Sequence, residues 1–91
     1  MKSLKGELAL VTGAAMGMGR SVSRLLLEEG CDVAMVDING KELTKNVKQL
    51  KAKSNCKVYI CDVSKRDAVY RLQKKVKQEM GDVTILVNNA G

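Results

Sequence analysis

The chain has 91 residues, enough for one small domain, which at this size buries about 60–65% of its unfolded surface. Hydrophobic residues make up 45% of it, so composition argues against disorder, and its only aromatics, Tyr59 and Tyr70, give no stacking platform for single-stranded nucleic acid. Three cysteines without metal-ligand spacing and the lack of histidine argue against a zinc site or a disulfide framework and fit reduced thiols in the cytosol.

Met1–Gly6 is a polar lead-in. No signal-peptide pattern precedes the first strand, and no apolar run approaches the roughly 18 residues of a membrane span. The expectation is a cytoplasmic chain, with contact at a membrane surface left open. Glu7–Thr12 reads as the first strand. The turn TGAAMGMG follows at Thr12–Gly19, then a helix to about Glu29 with Val22, Leu25 and Leu26 on one stripe. Strand, glycine turn and helix together present backbone N–H groups and a helix N-terminus to an anion. Gly13 can leave the strand at positive φ, Gly17 admits a pyrophosphate close to the main chain, and Gly19 lets the helix sit tightly on the strand. The stretch reads as a dinucleotide cradle. A P-loop would need glycine at Ala14 and lysine at Arg20. A helix-packing turn without a ligand is the other alternative.

Gly30 stands where a helix C-terminal glycine belongs, and Asp32–Asp37 is a second strand apolar enough to be buried on both faces. Asn39-Gly40-Lys41-Glu42 has the form of a capping box. The helix it opens buries Leu43, Val47 and Leu50 and is expected to end near Ser54-Asn55. Lys57–Asp62 is a third strand, in which Cys61 serves as a small hydrophobe. Ser64-Lys65-Arg66-Asp67 repeats the cap signature before a helix with Val69, Leu72, Val76 and Met80 on its buried stripe. Gly81 closes that helix, and Val83–Asn88 is a fourth strand.

The net charge is +6, and its sources are the helices. Lys41, Lys45, Lys48, Lys51 and Lys53 fall on one, and Lys65, Arg66, Arg71, Lys74, Lys75 and Lys77 on the next. Because both helices carry apolar stripes, the cations are expected to coat solvent faces, with a patch for nucleic acid or anionic lipid as the alternative.

Strands alternating with helices imply an α/β fold with a parallel sheet and right-handed crossovers. Strand order 3-2-1-4 puts the first two helices on one face and the third on the other. A crevice then opens where the order reverses, at the carboxyl ends of strands 1 and 4. Asp37 ends the second strand 18 residues past Gly19, near the spacing of an acidic residue that binds ribose hydroxyls. A carboxylate there would repel a 2′-phosphate by at most about 4 kcal/mol for unit charges near 4 Å. Met16 and Ile38 offer no compensating cation, so NAD is favoured over NADP. The bland reading has Asp37 simply ending a strand beside a turn. Asp62 could reach an adenine amino group with Val63 against the ring, or could belong only to the turn before Ser64. Asn88-Asn89-Ala90-Gly91 is either a polar turn or a place where amides tie strand ends and small residues leave room for a cofactor.

Together TGAAMGMG, Asp37, Asp62-Val63 and NNAG resemble the short-chain dehydrogenase/reductase family over essentially the whole chain. The stretch KKVKQEMGDVTILVNNAG is similar to the branch of 17-beta-hydroxysteroid and retinol dehydrogenases, many of which begin with a hydrophobic anchor not seen here. The resemblance implies a Rossmann-like fold. It assigns Gly13, Ala14, Ala15, Met16, Gly17, Met18 and Gly19 to the pyrophosphate turn, Asp37 to the adenosine ribose, Asp62 and Val63 to adenine, and Asn89 to the cofactor side of strand 4. It places the catalytic serine and the Tyr-x-x-x-Lys pair beyond Gly91, so no residue here is catalytic. Tyr70 and Lys74 match that spacing only formally, on a helix away from the crevice.

The resemblance makes residues 1–91 the dinucleotide-binding half of a domain, incomplete after strand 4, from a fragment or a truncated product with an open apolar edge. Its parent would transfer hydride between an alcohol and a ketone or aldehyde, with steroid-, retinoid- or lipid-like substrates in view and oligomerisation left open. Two other classes stand beside this: a non-catalytic dinucleotide-binding or interaction protein, and a binder of nucleic acid or anionic surfaces.

Overall fold

A computed structural model describes residues 4–50 and 55–89. Four parallel strands form one sheet: β1 (Leu8–Thr12), β2 (Asp32–Asp37), β3 (Cys56–Ile60) and β4 (Ile85–Val87), in the order β3-β2-β1-β4. Between them run α1 (Gly17–Glu28), α2 (Gly40–Gln49) and α3 (Arg66–Glu79). This is the order 3-2-1-4 that the alternation of strands and helices implies.

β1 is buried along its whole length because it lies between two strands and between two helical layers. Its period-2 alternation divides the interior in two. Ala9 and Val11, with Val33 and Met35 of β2, face Leu26 and Leu27 of α1 and Leu43 and Val47 of α2. Leu8 and Leu10, with Ala34 and Val36, face Tyr59 and the α3 residues Leu72 and Val76. Helices therefore cover both faces, as a parallel sheet requires.

The ends of the elements follow local chemistry. Gly30, at φ 91, closes α1, with its N–H donating to the Leu27 carbonyl at 3.1 Å and the Cys31 N–H to Leu26 at 3.0 Å. Asn39 caps α2 by accepting from the Glu42 N–H at 3.2 Å, but the reciprocal half of the box is replaced. The Asn39 N–H donates to Asp37 Oδ1 instead of to Glu42. The described part of α2 stops at Gln49, and the expected end near Ser54 lies outside the described residues. α3 has no side-chain cap, because it begins at Arg66 with Lys65 at the N-cap, which leaves Ser64 one residue too early; the Ser64 hydroxyl donates to Asp62 in the preceding turn. Its stripe holds, with Leu72 and Val76 buried and Val69 and Met80 packed against them.

β3 and β4 are shorter than their apolar runs. β3 is in register with Val33–Asp37, and its last rung is the Cys61 N–H donating to the Asp37 carbonyl at 3.0 Å. Beyond it, Asp62 turns the chain. β4 pairs with β1 only over Ala9–Val11. Just before it, the Thr84 N–H donates to the Leu8 carbonyl at 2.9 Å and its hydroxyl accepts the Leu8 N–H at 3.1 Å, so a side chain supplies half of the next rung.

Candidate functional site

The carboxyl ends of β1, β2 and β3 converge on the glycine turn. Gly13 takes φ +63 directly after β1, the left-handed region that glycine enters without a Cβ penalty. The next two residues point into the protein. Ala14 and Ala15 are buried, and their N–H groups donate to the Val36 carbonyl and to Asp37 Oδ2, each at 3.0 Å. The Ala15 carbonyl accepts from the side-chain amide of Asn46 on α2. Ala14 and Ala15 thus brace the turn from within. Their amides are already engaged.

Met16 and Met18, by contrast, are 64% and 71% exposed. Met16 is extended and precedes α1 without a side-chain cap, and no acidic residue lies in the first turn. The first turn of α1 therefore supplies no anion of its own to its orphan N–H groups. Gly17 also sits at φ +63, and a Cβ built on it would meet nothing within 4 Å. The space over the turn is open. Gly19 is the opposite case. A Cβ there would fall on the Gly13 carbonyl and come within 2.9 Å of Asn89 Nδ2, so the helix can approach the strand only because this residue has none. The turn therefore fits the group its sequence implies, with a clear approach above Gly17 and backbone packed against backbone below Gly19.

Asp37 stands beside the turn. Its two oxygens accept one bond each, from Ala15 and from Asn39, which fixes the carboxylate while leaving acceptor capacity on both. Asp62 takes the Ser64 N–H at 3.0 Å and the Ser64 hydroxyl at 2.6 Å on Oδ1. These bonds, aided by nearby Lys65, hold its carboxyl below the usual carboxylate range. Asp62 thus anchors the turn before α3, as its local reading had it. Its Oδ2 has no hydrogen-bond partner among the described residues. Gly13, Asp37, Ile38, Cys61, Asp62 and Val63 line one hollow of about 100 Å³, so three strand ends that are distant in sequence share a wall. Ile38, 65% exposed, adds to the apolar rim that Met16, Met18 and Val63 form along this edge.

The end of β4 is tied in by a residue that spacing alone did not single out. The Thr12 hydroxyl accepts the Asn89 N–H at 3.0 Å and lies 3.2 Å from Asn88 Oδ1. Asn89 Nδ2 reaches the Gly13 carbonyl at 3.5 Å. The asparagines therefore link strand ends, and Asn89 stands at the turn. Ala90 and Gly91 lie outside the described residues. Asn46 is the second such residue. Its signal was a polar side chain on the apolar face of α2, three residues past Leu43 and four before Leu50.

The tyrosines have other partners. Tyr59 is buried, and its hydroxyl donates to Glu79 Oε1 at 2.8 Å; burial and that carboxylate push its pKa well up. Lys74 Nζ lies 4.6 Å from the centroid of the exposed Tyr70 ring, a cation–π contact one helical turn apart. Burial raises the pKa of Cys31, Cys56 and Cys61, all free thiols. Among the described residues no group of three metal-ligating side chains assembles, and no helix is long and apolar enough to cross a membrane.

The sequence model of the family described as short chain dehydrogenase matches residues 7–91. The chain belongs to this family. A relative, epidermal retinol dehydrogenase 2 of Mus musculus, is 40% identical, over 99% of this chain and 30% of that protein. Another, 2,3-dihydro-2,3-dihydroxybenzoate dehydrogenase of Bacillus subtilis, is 38% identical, over 99% of this chain and 35% of that protein. Among solved structures, the Pseudomonas aeruginosa RhlG/NADP active-site complex superposes with a TM-score of 0.88 at 32% identity, over 98% of this chain and 36% of that one. The chain thus spans about a third of the length of the relatives it matches. Its short-chain dehydrogenase fold is the NAD(P)-binding Rossmann fold of an oxidoreductase family.

Proposed function

We propose that residues 1–91 are the dinucleotide-binding half-domain of an alcohol–carbonyl oxidoreductase that prefers NAD(H) to NADP(H). The observation that carries this is Asp37. A carboxylate held from two sides at the end of β2 offers two acceptor edges to vicinal ribose hydroxyls and opposes a phosphate in the same place. In this reading the exposed turn Met16–Gly19 holds the pyrophosphate, with Gly13, Ala14 and Ala15 as its frame. Asp62 and Val63 line the adenine side of the hollow, and Asn89 borders the nicotinamide side.

When bound, the dinucleotide carries the hydride. These residues bind and orient it and bring no proton relay of their own, since Asp37, Asp62 and asparagine amides are what the crevice offers. The relay, by the family resemblance, belongs to the part of the fold that this chain does not span. The relatives' names differ in substrate, retinol in one and a dihydrodihydroxybenzoate in the other, so the proposal stops at a hydroxyl–carbonyl pair. Steroid, retinoid and lipid alcohols are the first candidates, on the likeness of residues 74–91 to that branch.

NADH and NADPH titrated into the chain, followed by nicotinamide fluorescence, test the cofactor choice. NADH is expected to bind at least tenfold more tightly, and Asp37→Ala to reduce the difference to a few-fold. Equal affinities before mutation would remove the role given to Asp37.

A further inference from the structure

Asn46 is polar, 1% exposed, and set on the apolar face of α2 among residues that pack on the sheet. A buried amide on such a face costs stability unless it is satisfied. What satisfies it is the carbonyl of Ala15, 31 residues earlier in the chain. The N–H of the same alanine donates to Asp37 Oδ2. Both backbone polar groups of Ala15 are thus held by side chains, one from the end of β2 and one from α2.

The consequence comes from the peptide plane. In a trans peptide the C=O of one residue and the N–H of the next point in opposite directions. If Asn46 draws the Ala15 carbonyl toward α2, the Met16 N–H must point the other way, out toward the open side of the turn. Met16 is exposed, its N–H has no acceptor among the described residues, and the adjoining Gly17 has clear space above it. We infer that Asn46 is a positioning residue: through the Ala15–Met16 peptide it aims the Met16 amide at the crevice, and so links α2 to the anion-binding turn. That the anion is the dinucleotide pyrophosphate rests on the function proposed above; that Asn46 sets the peptide does not.

The pair Asn46→Val and Asn46→Thr separates the two. The variants share a shape, and both suit an apolar helix face, but only threonine keeps a donor. ¹⁵N relaxation dispersion on the ligand-free chain reads the turn directly. Asn46→Val is expected to give microsecond–millisecond exchange at Ala15, Met16 and Gly17 that is absent from the native chain, and Asn46→Thr to suppress it. NADH affinity should then fall about tenfold in Asn46→Val, the worth of one hydrogen bond to a charged group, and recover in Asn46→Thr, while affinity for adenosine stays the same. A quiet turn in Asn46→Val overturns the inference. So does failure of Asn46→Val to fold while Asn46→Thr folds, or equal weakening of NADH and adenosine, since each marks Asn46 as a general prop of α2. If the native chain binds no NADH, the cofactor reading falls, and the dispersion result still decides the role of Asn46.

Discussion

Glycine positions that look alike in TGAAMGMG do different work. Gly17 needs its conformation and leaves open space, whereas Gly19 needs the absence of a side chain, with the Gly13 carbonyl and Asn89 Nδ2 in the way of any Cβ. Backbone cannot yield there as a flexible side-chain tip could. Gly19→Ala should therefore cost about 1–3 kcal/mol, the usual range for overpacking. Urea unfolding measures it, and a change below a few tenths of a kcal/mol would mean that α1 does not press on the turn. The spacing of the glycines and the distance from Gly19 to Asp37 were legible because each reflects a local backbone rule. The partner of Thr12 was not, and Asn46 showed only as a polar residue on an apolar helix face, with nothing to name what it bonds. Their importance lies in partners 77 and 31 residues away, which no local rule identifies.

Among the elements, α1 and α3 were legible to within a few residues of their ends and β2 residue for residue, whereas the expected end of α2 near Ser54 lies outside the described residues. The structure departs from the cap signatures at the helix starts. Ser64 has the sequence of a helix cap, yet α3 starts one residue later, with Lys65 at the N-cap, and the Ser64 hydroxyl donates to Asp62 in the turn before it. Asp37 displaces Glu42 from the capping box of α2. β3 yields a pH prediction. Burial pushes the Cys56 thiol from 9.0 to about 11, so folding favours the neutral form. A pKa raised by folding contributes stability that is full below the unfolded value and is lost as pH climbs through the folded one. The urea midpoint should thus decline between pH 9 and 11, and Cys56→Ala should flatten that decline; an unchanged slope would place the thiol in contact with solvent.

Across the whole molecule, charge and chemistry occupy separate places. Lys41, Lys45 and Lys48 of α2, and Lys65, Arg66, Arg71, Lys74, Lys75 and Lys77 in and beside α3, are all exposed, while Lys51 and Lys53 lie outside the described residues. The ion pairs Arg24–Glu28 and Lys77–Asp82 are exposed as well, so they add little to stability. The crevice, in contrast, is built from glycine backbone, two carboxylates and an apolar rim at the strand ends, on the edge where parallel α/β sheets bind ligands. Dinucleotide binding distinguishes these two surfaces. A ¹H–¹⁵N correlation spectrum of the chain, titrated with NADH, reports which amides the dinucleotide touches. Shifts are expected to concentrate at Gly13–Gly19, Asp37–Ile38 and Asp62–Val63, with the exposed faces of α2 and α3 unmoved. Shifts confined to the lysine-bearing faces, or none at millimolar NADH, would contradict binding at the crevice.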